Sequence, residues 1–271
     1  MLITSRQNAR VKALRQLRMP KYRAREGRYL IEGVRVVEQA LERGAPVETL
    51  VYAPELLVSE RGLALVEAQT GLERVALSPD VFRSLSDRDT PQGLSAVVRM
   101  STSTLEDLTP GPDALLVVAW QLQTPGNLGS IIRTSDAIGA DAVIVVEPSA
   151  DLYDPQTIRA TMGSFYALPT IRVPEEGLLC QWLARLKRSA VPLRVMGTSA
   201  HAPSLLWEAD CRGPLAVLLG NEQEGLNAQA RQVADVLVRL PMTGSATSLN
   251  VSAAAAAILF EVVRQRTAAS V

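Results

Sequence analysis

The 271 residues are 47% hydrophobic and carry no net charge, so the chain is long enough for two domains and apolar enough to bury a core in each. Two cysteines, Cys180 and Cys211, and a single histidine, His201, exclude a disulfide framework, a zinc cluster and Ser-His-Asp hydrolase chemistry, so we expect no metal. No apolar segment reaches the roughly 18 to 20 residues that span a bilayer, and the basic start lacks the apolar core of a signal peptide, so we expect a cytoplasmic protein.

The charge is concentrated at one end of the chain. Residues 1–28 carry nine basic side chains against the carboxylate of Glu26, a net charge of +8. Such a cluster attracts phosphate backbones, and Tyr22 and Tyr29 add stacking surfaces, although a solvated helix face would explain the charge as well. We therefore predict RNA contacts at Arg6, Arg10, Lys12, Arg15, Arg18, Lys21, Arg23, Arg25 and Arg28.

The first hundred residues predict a small α/β domain, which we place at residues 1–105. Val11, Leu14 and Leu17 recur at helical spacing within residues 8–19, and residues 29–41 read as a strand that leads into an amphipathic helix. Further short strands and helices alternate beyond them. The strands are predicted at 47–53, 74–77 and 93–98, and the helices at 54–69 and 79–85.

A second domain is predicted at residues 112–271, after a linker of turn formers at 101–113. Apolar runs of strand length alternate there with helical patterns, which is typical of a parallel sheet covered by helices. The strands are predicted at 114–119, 142–146, 193–197, 215–219 and 236–240. The helices are predicted at 127–138, 155–161, 176–189 and 250–266.

Three short polar segments, at 127–133, 220–225 and 248–252, each follow one of these apolar runs. Loops at the carboxyl ends of parallel strands gather ligands, so we expect the segments to form one site. Glycines such as Gly126, Gly220 and Gly225 allow a ligand to approach the main chain closely. The sequence therefore predicts an active site at this edge of the second domain.

At these residues the chain resembles the SpoU branch of the SPOUT RNA methyltransferases. That family has an Asn followed six residues later by Arg, then Gly-Asn-Glu-x-x-Gly-Leu, then Pro-Met and Ser-Leu-Asn-Val-Ser. This chain has Asn127 with Arg133, the block at 220–226, and Pro241-Met242 followed by 248–252. A turn at 159–164, Arg-Ala-Thr-Met-Gly-Ser, is also similar, and the resemblance covers roughly residues 112 to 266.

The resemblance implies a trefoil-knotted parallel α/β catalytic domain, preceded by a small α/β domain similar to ribosomal protein L30e that grips RNA. It also implies a homodimer that transfers the methyl group of S-adenosylmethionine to a ribose 2′-hydroxyl of RNA. The apolar residues Ile131, Ile132 and Ile138 and the Ala-rich C-terminal helix are candidate subunit surfaces, although burial within one subunit explains them equally well.

The family pattern assigns roles to residues of all three segments. Arg133 is the key position, either as the base for the 2′-hydroxyl or as a clamp on the neighbouring phosphate, and a guanidinium group has no acceptor and keeps its proton at neutral pH. The predicted catalytic residues are Arg133, Asn127, Glu222, Ser248 and Asn250. The predicted cofactor residues are Gly220, Leu240, Leu249, Thr198, Leu219, Met242 and Val251.

Two positions depart from the family pattern, because Thr124 and Thr247 stand where acidic residues are common. We expect a ribosomal RNA substrate, since a separate RNA-gripping domain is more typical of members that modify rRNA. The alternatives are a tRNA 2′-O-ribose methyltransferase and a non-catalytic RNA-binding or ribosome-assembly factor with the same fold. A nucleotide-binding dehydrogenase is not favoured, because neither Gly-x-Gly-x-x-Gly nor a Walker motif occurs.

Overall fold

A computed structural model describes residues 2–268 and divides them into two compact units. The first unit contains the residues up to Ser101 together with Tyr153–Tyr166, and the second contains Thr102–Leu152 together with the residues from Ala167 on. The sequence did not indicate that residues 153–166 group with the first hundred. No helix within residues 2–268 is long and apolar enough to cross a membrane.

The first unit is built around a five-stranded mixed sheet in the order β1-β4-β3-β5-β2. Its strands β1, β4 and β3 are parallel, and β5 pairs antiparallel with both β3 and β2. Up to Ser101 the elements are β1 (Leu2–Ile3), α1 (Ala9–Gln16), α2 (Pro20–Glu26), β2 (Arg28–Glu32), α3 (Val34–Glu42), β3 (Val47–Tyr52), α4 (Glu60–Ala68), β4 (Glu73–Leu77), α5 (Pro79–Arg83) and β5 (Leu94–Arg99).

The basic N-terminal segment folds as two helices where the pattern predicted one. Asn8 caps α1 by accepting a hydrogen bond from Arg10 N, and Val11 and Leu14 face the core of the unit. Pro20 begins α2 and Gly27, with φ of 62°, ends it. Arg23 turns inward from α2 and donates hydrogen bonds to the carbonyl oxygens of Leu17 and Arg18, which follow the end of α1.

The second unit contains a seven-stranded sheet in which every pairing is parallel, in the order β10-β12-β9-β11-β6-β7-β8. Beyond Ser101 the elements are β6 (Leu115–Trp120), α6 (Pro125–Ala137), β7 (Ala142–Val146), α7 (Pro155–Ala160), β8 (Thr170–Val173), α8 (Glu176–Leu186), β9 (Arg194–Thr198), β10 (Ser204–Leu205), β11 (Leu215–Leu219), α9 (Ala228–Val233), β12 (Val236–Arg239) and α10 (Val251–Ala268). Of these, α7 belongs to the first unit.

The central strands β6, β7 and β11 are buried at every position, as expected for a parallel sheet covered on both faces. The sequence predicted all three within one residue. It missed the short strands β1, β8 and β10 and the helix α9, because two to six residues show too little periodicity to separate strand from loop. The core of the unit is formed by residues such as Trp120, Ile144 and Leu218.

Candidate active site

The three polar segments follow strands that end at the same edge of the parallel sheet. Leu219 at the end of β11 pairs with Ala119 of β6, and Val238 of β12 pairs with Thr198 at the end of β9. Three loops leave this edge, and we call them the first loop (residues 121–124), the second loop (220–227) and the third loop (240–250). The first loop leads into α6, which carries Asn127 and Arg133.

Side chains from all three segments join in one chain of hydrogen bonds. The amide nitrogen Nδ2 of Asn127 donates to Oε1 of Glu222 at 3.0 Å. The oxygen Oδ1 of Asn127 accepts from Nδ2 of Asn250, also at 3.0 Å. Asn127 is largely buried, so its two bonds satisfy a side chain that water reaches poorly. The bonds fix which way its amide faces, and they link α6 to both other loops.

Glu222 anchors the beginning of α6. Its carboxylate also accepts from the backbone N–H groups of Gln123 at 3.0 Å and Thr124 at 3.1 Å. Burial favours the neutral acid, but the hydrogen bonds from Gln123 N and the Asn127 amide favour the carboxylate more and hold the pKa of Glu222 below its ordinary value. A carboxylate at the N-terminal end of a helix is also favoured by the helix dipole.

Asn221 ties the second loop to the first. Its Nδ2 donates to the carbonyl oxygen of Gln121 at 2.9 Å, and its Oδ1 accepts from the backbone N–H groups of Gln223 and Glu224. Gln121 has a φ of 57°, a left-handed conformation that costs a non-glycine residue free energy. The Asn221 bond therefore holds strained backbone directly after β6.

Gly220 stands where two stretches of main chain nearly touch. A Cβ atom at this position would lie 2.4 Å from the carbonyl carbon of Gly225 and 2.5 Å from the nitrogen of Leu226. Gly225 closes the loop by exchanging two backbone hydrogen bonds with Asn221, and its φ is 69°. Only glycine fits at position 220 without displacing the backbone of the loop.

Arg133 lies on α6, two turns after the start of that helix, and its side chain is exposed. Within residues 2–268 its guanidinium group has no hydrogen-bond or ion-pair partner, although many arginines of this chain are paired with carboxylates. An exposed guanidinium on the helix that carries the fixed Asn127 is available to bind an anion such as phosphate.

The third loop differs from the other two because every residue from 241 to 250 is exposed. Among the described residues, 241–249 form no hydrogen bond with another protein group, and Ser248 therefore stands outside the network. Two large apolar side chains lie in this stretch, with Met242 36% and Leu249 47% exposed. Asn250 ends the loop and caps α10, since its Oδ1 accepts from Ser252 N at 2.9 Å.

The remaining predicted cofactor residues lie at the same edge with different degrees of burial. Leu219 is buried at the end of β11, whereas Leu240 and Val251 are half-buried. The hydroxyl of Thr198 donates to the carbonyl oxygen of Leu218 at 2.9 Å, which joins the ends of β9 and β11. Apolar side chains next to unpaired main-chain groups suit a flat heterocycle, so the residues present fit the adenosine part of S-adenosylmethionine.

Residues 114–260 match the family described as the SpoU rRNA Methylase family. The chain belongs to this family. Residues 8–96 match a second family, the MRM3-like substrate binding domain. The SpoU match covers more than half of the chain and includes Asn127, Arg133, Glu222 and Asn250.

Relatives align with nearly the whole chain. A 23S rRNA (uridine(2479)-2′-O)-methyltransferase of Streptomyces viridochromogenes is 38% identical over 245 residues, which are 90% of this chain and 85% of the relative. The 23S rRNA (guanosine(2553)-2′-O)-methyltransferase RlmP of Bacillus subtilis is 33% identical over 95% of this chain and 97% of its own. The crystal structure of the SpoU methyltransferase AviRb from Streptomyces viridochromogenes with the cofactor AdoMet superposes with a TM-score of 0.90 at 37% identity and covers 96% of this chain and 99% of that one.

The basic residues predicted to bind RNA have different environments in this SpoU protein. Arg23 is 1% exposed and bonded to main-chain oxygens, so its assignment to the RNA surface was wrong. Arg15 donates to Ser84 Oγ. Ion pairs engage Arg10, Arg18, Arg25 and Arg28 with Glu73, Asp87, Glu26 and Glu48 respectively. Arg6, Lys12 and Lys21 are exposed and have no ionic partner among the described residues.

Several residues of the site were not predicted from the sequence. Gln121, Gln123 and Thr124 contribute backbone groups, and a main-chain contact leaves no trace in residue type. Thr124 was noted because it replaces an acidic residue, yet its N–H is what contacts Glu222. Asn221 could have been predicted from the sequence, because it lies inside a signature block and an Asn side chain readily accepts hydrogen bonds from backbone N–H groups of its own loop.

Proposed function

We propose that this chain transfers the methyl group of S-adenosylmethionine to a ribose 2′-hydroxyl of 23S ribosomal RNA. The proposal rests on the amide of Asn127, which is fixed by Glu222 and Asn250, and on Arg133 of the same helix, whose guanidinium has no partner within residues 2–268. These residues lie in a chain that aligns over at least 90% of its length with two 23S rRNA 2′-O-methyltransferases. The enzyme class, the cofactor and the RNA substrate are all consistent with these relatives.

We assign the cofactor to the edge formed by the second and third loops. S-adenosylmethionine supplies an electrophilic methyl group. Gly220 lets the main chain of the second loop approach closely, while Leu240, Met242, Leu249 and Val251 provide apolar surface. Leu219 and Thr198 support this surface from the ends of their strands. The main-chain groups of residues 241–249, which form no hydrogen bond within the described part of the chain, supply donors and acceptors for the adenine base of the cofactor.

The protein residues then have to place the acceptor and help it lose its proton. Arg133 binds the phosphate beside the target ribose, which is the role that a free guanidinium can fill without giving up a proton. Asn127 and Asn250 contribute amide groups at the same edge of the sheet, and Glu222 holds the orientation of the Asn127 amide. As the new oxygen–carbon bond forms and the sulfur–carbon bond breaks, the hydroxyl proton passes to a phosphate oxygen or to water. Positioning of this kind supplies much of the rate enhancement in such displacements.

We assign RNA gripping to residues 1–105 and catalysis to residues 112–271. Arg6, Lys12 and Lys21 are exposed cations without ionic partners in the described part of the chain, so they can neutralise phosphates without first breaking an ion pair. We also propose that the N-terminal domain has a fold similar to L30e and that the catalytic domain contains a trefoil knot. The family match supports both. A cytoplasmic location follows from the substrate, since ribosomes are assembled there.

We further propose a homodimer that uses the exposed face of α10. Ala253, Ala257 and Phe260 are exposed at helical spacing, and Phe260 is 56% exposed. Ile131 and Ile132 are fully buried within their own unit, so they are excluded as a subunit surface. Sedimentation of the wild type at twice the 29.2 kDa chain mass, and of Phe260→Glu at the chain mass, is the expected result. Trp207→Ala, which removes another exposed aromatic side chain, is the control.

The decisive experiment measures transfer of labelled methyl from S-adenosylmethionine to unmethylated total RNA by the wild type and Arg133→Ala. We expect label in 23S rRNA as a 2′-O-methyl nucleoside, and a loss of at least about 100-fold with Arg133→Ala. Arg185→Ala, which changes an exposed arginine of α8, should behave like the wild type. Label in tRNA would overturn the substrate. Absence of label from free RNA and from ribosomal particles, with cofactor bound, would favour the non-catalytic alternative.

A further inference from the structure

A cleft in the first unit has a mostly apolar floor. It encloses about 450 Å³, including space open to solvent, between the end of α1, the strand β2, helix α3 and the short helix α7. The apolar residues that line it are Leu17, Leu30, Ile31, Val36, Leu85 and Ile158.

The charged groups at the cleft are satisfied within the protein, with one exception. Arg18 is paired with Asp87. Glu32 accepts a hydrogen bond from Ser86 Oγ at 2.6 Å and lies 4.0 Å from the guanidinium of Arg88. The guanidinium of Arg159 also lines the cleft, but it has no hydrogen-bond or ion-pair partner within residues 2–268. The cleft therefore combines apolar surface with a single unused planar cation.

This combination suits a nucleobase better than it suits a phosphate. A phosphate group prefers clustered cations and hydrated surroundings, whereas two carboxylates stand at this cleft. An unstacked base presents apolar faces and a polar edge, and RNA-binding proteins hold such bases against apolar side chains and guanidinium planes. Arg6, Lys12 and Lys21, exposed and without ionic partners in the described part of the chain, belong to the same N-terminal segment as Leu17 and Arg18 and would attract RNA to this unit.

We propose that the cleft holds one unpaired nucleotide of the RNA substrate, with its base on the apolar floor and its edge or face against the Arg159 guanidinium. The proposal rests on the RNA methyltransferase function above and names a substrate contact outside the three signature segments. A base held there would select RNA in which one nucleotide besides the target is free to leave its stack.

The test measures the Kd of the full chain for an unmodified 23S rRNA transcript over a range of salt concentrations. The variants are Arg159→Ala, Arg159→Lys and, as a matched control, Arg43→Ala. This control removes an exposed arginine at the end of α3 in the same unit, which has no ionic partner among residues 2–268. We expect Arg159→Ala to raise the Kd about tenfold, Arg159→Lys to recover little of this, and Arg43→Ala to change the Kd less than twofold.

The salt dependence separates a base contact from a phosphate contact. With Arg159→Ala we expect the slope of log Kd against log salt to stay as in the wild type, whereas loss of a phosphate contact lowers its magnitude by about 1. A lowered slope, full recovery by Arg159→Lys, or equal effects of Arg159→Ala and Arg43→Ala would overturn the proposal. Methyl transfer by the wild type to the same transcript is measured in parallel. If it occurs while Arg159→Ala binds normally, the cleft proposal fails and the function stands.

Discussion

The loops of the active site fall into two regions that differ in how firmly the protein holds them. The first and second loops are joined by the hydrogen bonds of Glu222, Asn127 and Asn221. Within the second loop, the main chain at Gly220 lies against that of residues 225–226. Residues 241–249 of the third loop are exposed and, among the described residues, form no hydrogen bond. The protein alone therefore fixes Asn127 and Glu222, which we assign to the acceptor side, while the main-chain groups of the loop that we assign to the cofactor stay free of protein partners within the described residues.

One sheet edge can therefore carry two kinds of loop. Catalytic side chains gain from being fixed before the substrate arrives, since no reorganisation is then needed during the reaction. Main-chain groups that bind a ligand must instead be free of protein partners, because a donor that is already bonded to protein cannot also bond to the ligand. Substitutions in the held region should affect rate and stability, and substitutions in the open region should affect cofactor affinity.

The largest effect is expected from Glu222→Gln. The substitution keeps the size of the side chain but removes the charge that accepts from Gln123 N, Thr124 N and Asn127 Nδ2. Displacement of the start of α6 should lower kcat about 100-fold, with little change in the Kd for S-adenosylmethionine. Steady-state methyl transfer and cofactor titration check this, and a raised cofactor Kd at unchanged kcat would contradict it. Glu224→Gln, an exposed neighbour, is the control.

A smaller effect, on stability, is expected from Gly220→Ala. The added Cβ would collide with the main chain of Gly225 and Leu226, so unfolding should become easier by about 2 kcal/mol. Gly126→Ala is the matched control, because no described residue outside its own helical backbone and chain neighbours has an atom within 4 Å of the position of its Cβ. Denaturant unfolding of both variants tests the close approach. Equal midpoints would show that the second loop shifts to accommodate the added Cβ at position 220.

In the open region, Leu249→Ala should raise the Kd for S-adenosylmethionine about tenfold, which corresponds to about 1.4 kcal/mol of lost apolar contact. Its thermal midpoint should stay near that of the wild type, since Leu249 is 47% exposed. Val191→Ala removes a side chain of similar exposure outside the site and should leave the Kd unchanged. Calorimetric titration measures both, and a fall in stability without a change in Kd would place Leu249 in the held region.

A gain in stability of about 0.5 to 1 kcal/mol is expected from Gln121→Gly. Glycine adopts the positive φ of position 121 without steric cost, and the carbonyl that accepts from Asn221 and Gln123 remains. Chemical denaturation compares it with Gln123→Gly, whose position has no positive φ and which should lose stability. If Gln121→Gly were the less stable of the two, the backbone at 121 would be unstrained.

The smallest effect concerns pH. The pKa of Glu222 is lower in the folded chain than its ordinary value of 4.5, so its contribution to stability is fully present above that value and is lost as the pH falls through the folded pKa. The difference in unfolding free energy between the wild type and Glu222→Gln should therefore be constant near neutral pH and shrink below pH 4.5. A difference that grows on acidification would mean that the carboxyl is not held ionised.

Part of this protein could be predicted from the order of its residues. The SpoU family and the parallel α/β fold of the second unit are confirmed, because the signature blocks and the buried strands are local patterns. Long apolar runs such as β6 and β11 were located within one residue. The roles of the individual site residues stay predictions, although the structure brings Asn127, Glu222 and Asn250 into bonding distance as that pattern implies.

Other features depend on how distant parts of the chain pack together. Arg23 and Lys21 stand two positions apart on one basic helix, yet only the first is buried, because the direction in which α2 packs decides which side chain turns inward. Residue types did not predict that Glu222 would accept from the backbone of residues nearly a hundred positions earlier, or that residues 153–166 would group with the first hundred. Periodicity and motif are properties of neighbouring residues, whereas such contacts depend on how distant strands pair and on the path of the loops between them.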